Sequence, residues 1–258
     1  MPRDTIRYFE AYTVSFDGAD GGVARGIPEW VAYEVKRKPA NMGKFPNRPS
    51  KWLTDKILFN AHLAPSDDSY AFSKAQRDAD PDNPKFHYDR GHMCRKSTAF
   101  RLDADADYNT HTVLNACPQR DDLNQGIWED LEDRVESWAD EYDSLWVICG
   151  PVIYGKSPKT WLGEEGEFKV AIPDAFYKII VRTGDKPNHP AVLTLIYPQD
   201  APREKPYKDS SHLKYAVPVA LTDIKRGVTV DEAAIRYGIT VEHLTLLSGK
   251  SGSDNPRW

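Results

Sequence analysis

Cysteine is scarce: Cys94, Cys117 and Cys149 are the three in 258 residues. An odd, widely spaced set completes no disulfide framework, and without a Cys-x-x-Cys pair there is no zinc motif. A reducing compartment is the expectation, with one disulfide plus a free thiol as the alternative. Long apolar runs are missing too. No stretch nears the roughly 20 residues of a membrane-spanning helix, so no membrane partner is expected. The opening Met1-Pro2-Arg3-Asp4 lacks the apolar segment of a secretory signal. Cytoplasm is therefore favoured over secretion, unless the chain is a processed form. Excess positive charge is absent as well: the net charge of −5 excludes a protein that coats nucleic acid by bulk attraction. With no repeat, low-complexity stretch or linker, one domain over 1–258 is the economical reading, 222–258 being a helical tail.

What is present suits a mixed α+β core, since 40% of residues are hydrophobic and 28% charged. Strands are expected at Trp30–Val35 after the Gly21-Gly22 turn, in a short segment ending near Asp89, around Thr112–Leu114, and at Leu145–Cys149, stopped by Gly150-Pro151. Three more fall at Phe168–Ile172, Phe176–Val181 and Ala191–Tyr197. The proline-bearing stretch 37–51 reads as a long surface loop, and 78–84 as a turn-rich segment. The clearest helix starts at Asp121 and Asp122, which can cap it. Leu123, Ile127, Leu131, Val135, Trp138 and Tyr142 then recur at helical spacing.

Charge is concentrated locally. Lys85, Arg90, Arg95, Lys96 and Arg101 crowd around His92, with Asp89 the one acid among them. Guanidinium groups there can hold a phosphodiester through charge-assisted hydrogen bonds. The helix after Asp121 is strongly acidic, with Glu129, Asp130, Glu132, Asp133 and Glu136 in succession. A regular helix of 3.6 residues per turn lines up Asn124, Trp128 and Glu132 on one side. An amide oxygen and a carboxylate on one helix edge suit Mg2+, which prefers oxygen ligands and keeps several waters.

Taken in order, Asp89-Arg90-Gly91-His92, then Asn115-Ala116-Cys117-Pro118-Gln119, then Leu123-Asn124-Gln125-Gly126-Ile127-Trp128 and Leu131-Glu132 resemble the DNA/RNA non-specific endonuclease family. The likeness extends from Trp30-Val31-Ala32-Tyr33 to Cys149-Gly150-Pro151 and covers roughly residues 10 to 225. It implies the ββα-metal (His-Me finger) fold, with an antiparallel or mixed sheet flanked by helices. It also implies hydrolysis of DNA and RNA with little sequence specificity, leaving 5′-phosphate and 3′-hydroxyl ends. By the same resemblance His92 is the general base and Asn124 the ligand of one Mg2+, with Mn2+ as the substitute. Glu132 orients the metal's water shell, Arg90 contacts phosphate, and Asp89, Asn115 and Gln119 are supporting residues. Arg95 and Lys96 join Arg90 as substrate-binding cations. Homodimers are common in that family.

The chain departs from the pattern at Met93-Cys94-Arg95-Lys96, at Asn109–Leu114, in the loop Pro39–Pro49 and in the tail. These differences bear on substrate preference rather than on the core chemistry. Plainer readings accompany several residues. Trp128 and Trp138 are core packing, Cys117 is an inert buried thiol, and Lys36-Arg37-Lys38 is a solvated face. The helix-turn-helix look of 231–247 is structural cover for the domain. His62, His87, His111, His189, His212 and His243 receive no role. Two rival functions stay open: a phosphodiesterase for small nucleotides, which a deep closed pocket would favour, and a catalytically silent nucleic-acid-binding module. The joint presence of His92, Asn124 and Glu132 speaks against silence.

Overall fold

The computed structural model describes residues 5–16, 25–70, 88–154, 157–163, 165–186, 189–201 and 203. The turn at Gly21-Gly22, the segments 78–84 and 85–87, and the helical tail at 222–258 lie outside the described residues. Six antiparallel strands form the main sheet in the order β1 (Thr5–Tyr8), β2 (Tyr12–Phe16), β3 (Pro28–Lys36), β6 (Ser144–Val152), β9 (Ala175–Lys186) and β10 (His189–Pro198). Two hairpin-like pairs accompany it, β4 (Tyr88–His92) with β5 (Ala116–Arg120), and β7 (Thr160–Leu162) with β8 (Val170–Ile172).

Alternation builds the sheet. In β3, Val31, Tyr33 and Val35 are buried while Glu34 and Lys36 are exposed, the period-2 pattern of a strand with one face in a core. Those residues join Val147, Cys149, Phe176 and Ile180 in the main apolar cluster. Helix α5 (Glu129–Tyr142) supplies Leu131, Val135 and Trp138 to the same cluster. Each such side chain contributes roughly 1.5–3 kcal/mol by leaving water. The opposite face of the sheet carries a smaller cluster of Tyr177, Ile179 and Val192.

Several elements differ from the sequence expectation. The second strand of the β4–β5 pair lies at Ala116–Arg120, because Val113–Asn115 forms a 3-10 turn after Thr112. Strand β6 continues through Gly150-Pro151 to Val152, and Gly150 fits because a Cβ there would meet the Glu29 carbonyl at 2.4 Å. Short helices α1 (Lys56–Asn60), α2 (Lys96–Phe100) and α3 (Ala104–Thr110) had no clear periodic signal. The expected single helix from Asp121 is broken. A short turn α4 (Asp121–Leu123) leads into a π-helical turn at Asn124–Trp128, with Gly126 at φ −113°, ψ −119°, before α5 begins. Asp121 and Asp122 sit in the first turn rather than at the cap, which is Arg120 without a capping side chain. Asn124 and Glu132 are thus not in phase on one continuous α-helix.

Candidate active site

The site grows from a ββα unit: β4 ends at His92, β5 returns antiparallel to it, and the broken helix follows at once. Within the pair, Asp89 lies opposite Gln119, Gly91 opposite Cys117 and His92 opposite Ala116. Gly91 is dictated by close approach, since a Cβ built on it would lie 1.9 Å from Gln119 Oε1. Gln119 itself is fully buried.

Asn124 and β4 are joined directly. Asn124 Nδ2 donates to Asp89 Oδ2 at 2.8 Å, and Gln125 Nε2 donates to the same oxygen at 2.9 Å. With the amide nitrogen committed, Asn124 Oδ1 makes no hydrogen bond among the described residues and is the end available to a cation. Asp89 is three residues from His92 on the same strand, roughly 10 Å along the chain at a strand's rise. Among the described residues no group of three or more His, Cys, Asp or Glu side chains is gathered to cage a metal. A cation here would therefore rest on the amide oxygen and on water, a donor set that fits Mg2+.

The loop after His92 is pinned by Asn115. Its Nδ2 donates to the carbonyls of Cys94 (2.9 Å) and Thr110 (3.0 Å), and its Oδ1 accepts from Cys94 N at 2.8 Å. Asn115 is fully buried, so these three bonds satisfy it locally. His92 packs against Trp52 with ring centroids 4.5 Å apart and against His111 at 5.2 Å, perpendicular. Burial pushes the His92 imidazole well below its ordinary pKa, and the charges of His111, Arg48, Lys96 and Arg90 push the same way. It is a neutral imidazole in a cationic setting, the form that accepts a proton.

The arginines divide their duties. Arg90 pairs with Asp67 and stacks over Trp52 at 5.0 Å. Arg95, read from sequence as a substrate-binding cation, is turned into the acidic helix instead. It ion-pairs with Asp133, and lies 3.6 Å from Glu132, 3.9 Å from Glu136 and 4.0 Å from Glu129. Arg101 likewise pairs with Asp140 at 2.7 Å and Glu136 at 3.6 Å. Lys96 and the exposed Arg48 have no ion-pair partner among the described residues, although both act electrostatically on His92. Arg48 lies in the loop 37–51, where Arg37, Lys38, Lys44, Arg48 and Lys51 occur without a single acid. That one-sided charge was the sequence signal for it. Trp52 and His111 left no such signal.

Glu132 is buried between two cations. Its Oε1 is 3.5 Å from Lys178 Nζ and its Oε2 is 3.6 Å from Arg95 Nε. Burial raises its pKa, and Lys178 and Arg95 counter the rise. Lys178, on β9, is itself fully buried, with Nζ 4.0 Å from the Trp128 ring centroid. The three thiols are buried and form no disulfide; burial pushes Cys149 up to about 12.

The family model described as DNA/RNA non-specific endonuclease matches residues 2–234, nearly the whole chain. The chain belongs to the DNA/RNA non-specific endonuclease family. It is 31% identical over 182 residues to a nuclease of Serratia marcescens, covering 67% of this chain and 59% of that protein. To Nuclease 1, mitochondrial, of Schizosaccharomyces pombe it is 27% identical over 158 residues, covering 55% and 46%. To the mouse (Mus musculus) mitochondrial nuclease EXOG it is 24% identical over 183 residues, covering 69% and 44%. The chain thus spans less than two thirds of the length of these relatives. A crystal structure of the EndoG/EndoGI complex superposes with a TM-score of 0.61 at 22% identity, over 87% of this chain and 83% of that one. The fold of this family member is accordingly the α+β, ββα-metal nuclease fold. Among the described residues no helix is long and apolar enough to cross a membrane.

Proposed function

We propose that the chain is an endonuclease that hydrolyses phosphodiester bonds in DNA and RNA with little sequence preference, through one catalytic domain. The observation that carries this reading is the Asp89–Asn124 hydrogen bond, which couples the His92 strand to an Asn124 amide oxygen that has no hydrogen-bond partner among the described residues.

In this reading His92 accepts the proton of the attacking water, for which its neutral, cation-flanked imidazole is suited. Asn124 Oδ1 holds Mg2+, or Mn2+ in its place, and Asp89 keeps the amide in that orientation. When bound there, the cation would supply charge neutralisation for the phosphodiester under attack. Glu132, from its place between Lys178 and Arg95, accepts hydrogen bonds from water in the site. Lys96 and Arg48 attract the backbone, and Arg90 reaches phosphate from its place between Asp67 and Trp52. Arg95 is left out of the binding set because helix carboxylates occupy it. Contacts to phosphate and sugar rather than to base edges account for sequence tolerance. The products carry 5′-phosphate and 3′-hydroxyl ends.

The test uses supercoiled plasmid and a structured RNA, with Mg2+, with EDTA, and with His92→Ala. Metal-dependent smearing that falls by ~10²-fold or more in the variant supports the proposal, that being the lower end for a lost general base. Fixed bands, or hydrolysis of small nucleotides with intact plasmid, would overturn it.

A further inference from the structure

His111 stands against His92 without a part in the function above. It is 1% exposed and caps the C-terminal end of α3. Its ring meets His92 edge to face at 5.2 Å and 90°, and Trp52 touches both, at 4.5 Å from His92 and 5.6 Å from His111. The arrangement is braced by the backbone. Leu53 N donates to the His111 carbonyl at 2.7 Å, and Thr112 Oγ1 donates to the Leu53 carbonyl at 3.1 Å, so Trp52 is held beside the pair.

Both imidazoles have a buried Nε2 with no hydrogen-bond partner among the described residues. The two are not equivalent. His111 Nδ1 lies 3.2 Å from the Asp107 carbonyl oxygen. A carbonyl only accepts, so this network assigns the proton to Nδ1 and leaves the lone pair of neutral His111 on Nε2. The charged and titratable groups acting on each ring also differ. His111 senses Asp107, which favours its cation, together with Arg48 and Lys96. His92 senses His111, Arg48, Lys96 and Arg90, all of which disfavour its cation. Two imidazoles in contact, His111 buried and His92 part-buried with its Nε2 covered, titrate as a pair rather than singly.

We propose that His111 is a positioning residue for His92: the pair accepts one proton before two, His111 Nε2 takes it, and His92 stays neutral as the base. This rests on His92 being the base of the reaction proposed above. On acidification a proton passes from solvent to His111 Nε2, and the resulting cation opposes a second protonation at His92. No bond to substrate changes. The enzyme thereby keeps its base in working form at lower pH than His92 alone would allow.

The test is an NMR titration of ¹³C-labelled histidines in the whole protein, wild type and His111→Phe, with a pH profile of kcat/KM on plasmid DNA. Phenylalanine preserves a ring against Trp52 but takes no proton. In the wild type the His111 signal is expected to titrate first and the His92 signal at lower pH. In His111→Phe the His92 step and the acid limb of kcat/KM should both move to higher pH by about one unit or more, the coupling that marks a linked pair. If His92 titrates at the same pH in both proteins and the variant's rate falls equally at every pH, His111 is packing only and the proposal is overturned. Should His111→Phe not fold, His111→Gln replaces it, and the wild-type titration order decides alone. That titration needs no turnover, so absence of nuclease activity would sink the functional reading without deciding the order of protonation.

Discussion

Asn124 donates its amide hydrogen to Asp89 at 2.8 Å, so the strand that ends in His92 also sets which way the Asn124 amide faces. Asp89→Ala removes that constraint and frees the amide to turn. Mg2+ affinity, measured calorimetrically, should fall about 10–100-fold, the usual cost of losing a partner behind a metal ligand. Circular dichroism should be unchanged. Affinity equal to that of the wild type would break the link between Asp89 and the cation.

Gly91 and Gln119 cannot both carry side chains in their present places, because the Cβ of an alanine at 91 would lie within 1.9 Å of Gln119 Oε1 and 2.4 Å of its Cδ. Gly91→Ala should therefore cost about 1–3 kcal/mol in urea unfolding, as overpacking does. Adding Gln119→Ala should return most of it. A fully stable single variant would show that Gln119 can leave at no cost.

Lys178 and Arg95 hold the buried Glu132 from two sides, at 3.5 and 3.6 Å. Lys178→Met takes one counter-charge from a buried carboxyl. The expected loss is about 3 kcal/mol, the lower end for a broken buried pair because Arg95 remains. The double variant Lys178→Met/Glu132→Gln should recover stability and not activity. Unfolding midpoints and plasmid cleavage, measured on the same preparations, separate the two effects.

Stability should respond to acid through the histidine pair. Burial holds His92 well below 6.5 and His111 below it. As the pH falls past about 6.5 the unfolded chain binds these protons first, so the contribution is complete above that pH and is lost toward the folded values. Glu132 acts in the opposite direction: its folded pKa is raised by burial, so its contribution is complete below about 4.5 and is lost as the pH rises through the folded value. Urea midpoints should thus drop between pH 7.5 and 5.5, and His111→Phe should flatten the drop. A midpoint rising with acidity over that span would contradict the burial of these rings.

The segments that carry the family likeness are legible in the sequence because their spacing carries the information. His92, Asn124 and Glu132 stand in motifs whose order survives without knowledge of the fold. Sheet strands such as β3 and β9 were readable from apolar runs, and the acidic helix from its stripe. What the sequence hid was set by tertiary contact. Gly126 breaks the helix at Asn124–Trp128, which periodicity alone reads straight through. The 3-10 turn at Val113–Asn115 displaces β5, because Asn115 spends its side chain on Cys94 and Thr110. Arg95 looked like a phosphate ligand until its four carboxylate neighbours were placed around it. Arg48, Trp52 and His111 reach His92 only through the fold.

The most direct test of the proposed site is a double-mutant cycle on Mg2+-supported plasmid cleavage with His92→Ala, Asn124→Ala and both together. Residues that serve one reaction as a unit lose far less in combination than the product of their separate losses. The double variant should be no more than slightly slower than the worse single variant. Losses that multiply in full would place the imidazole and the amide in separate, independent roles.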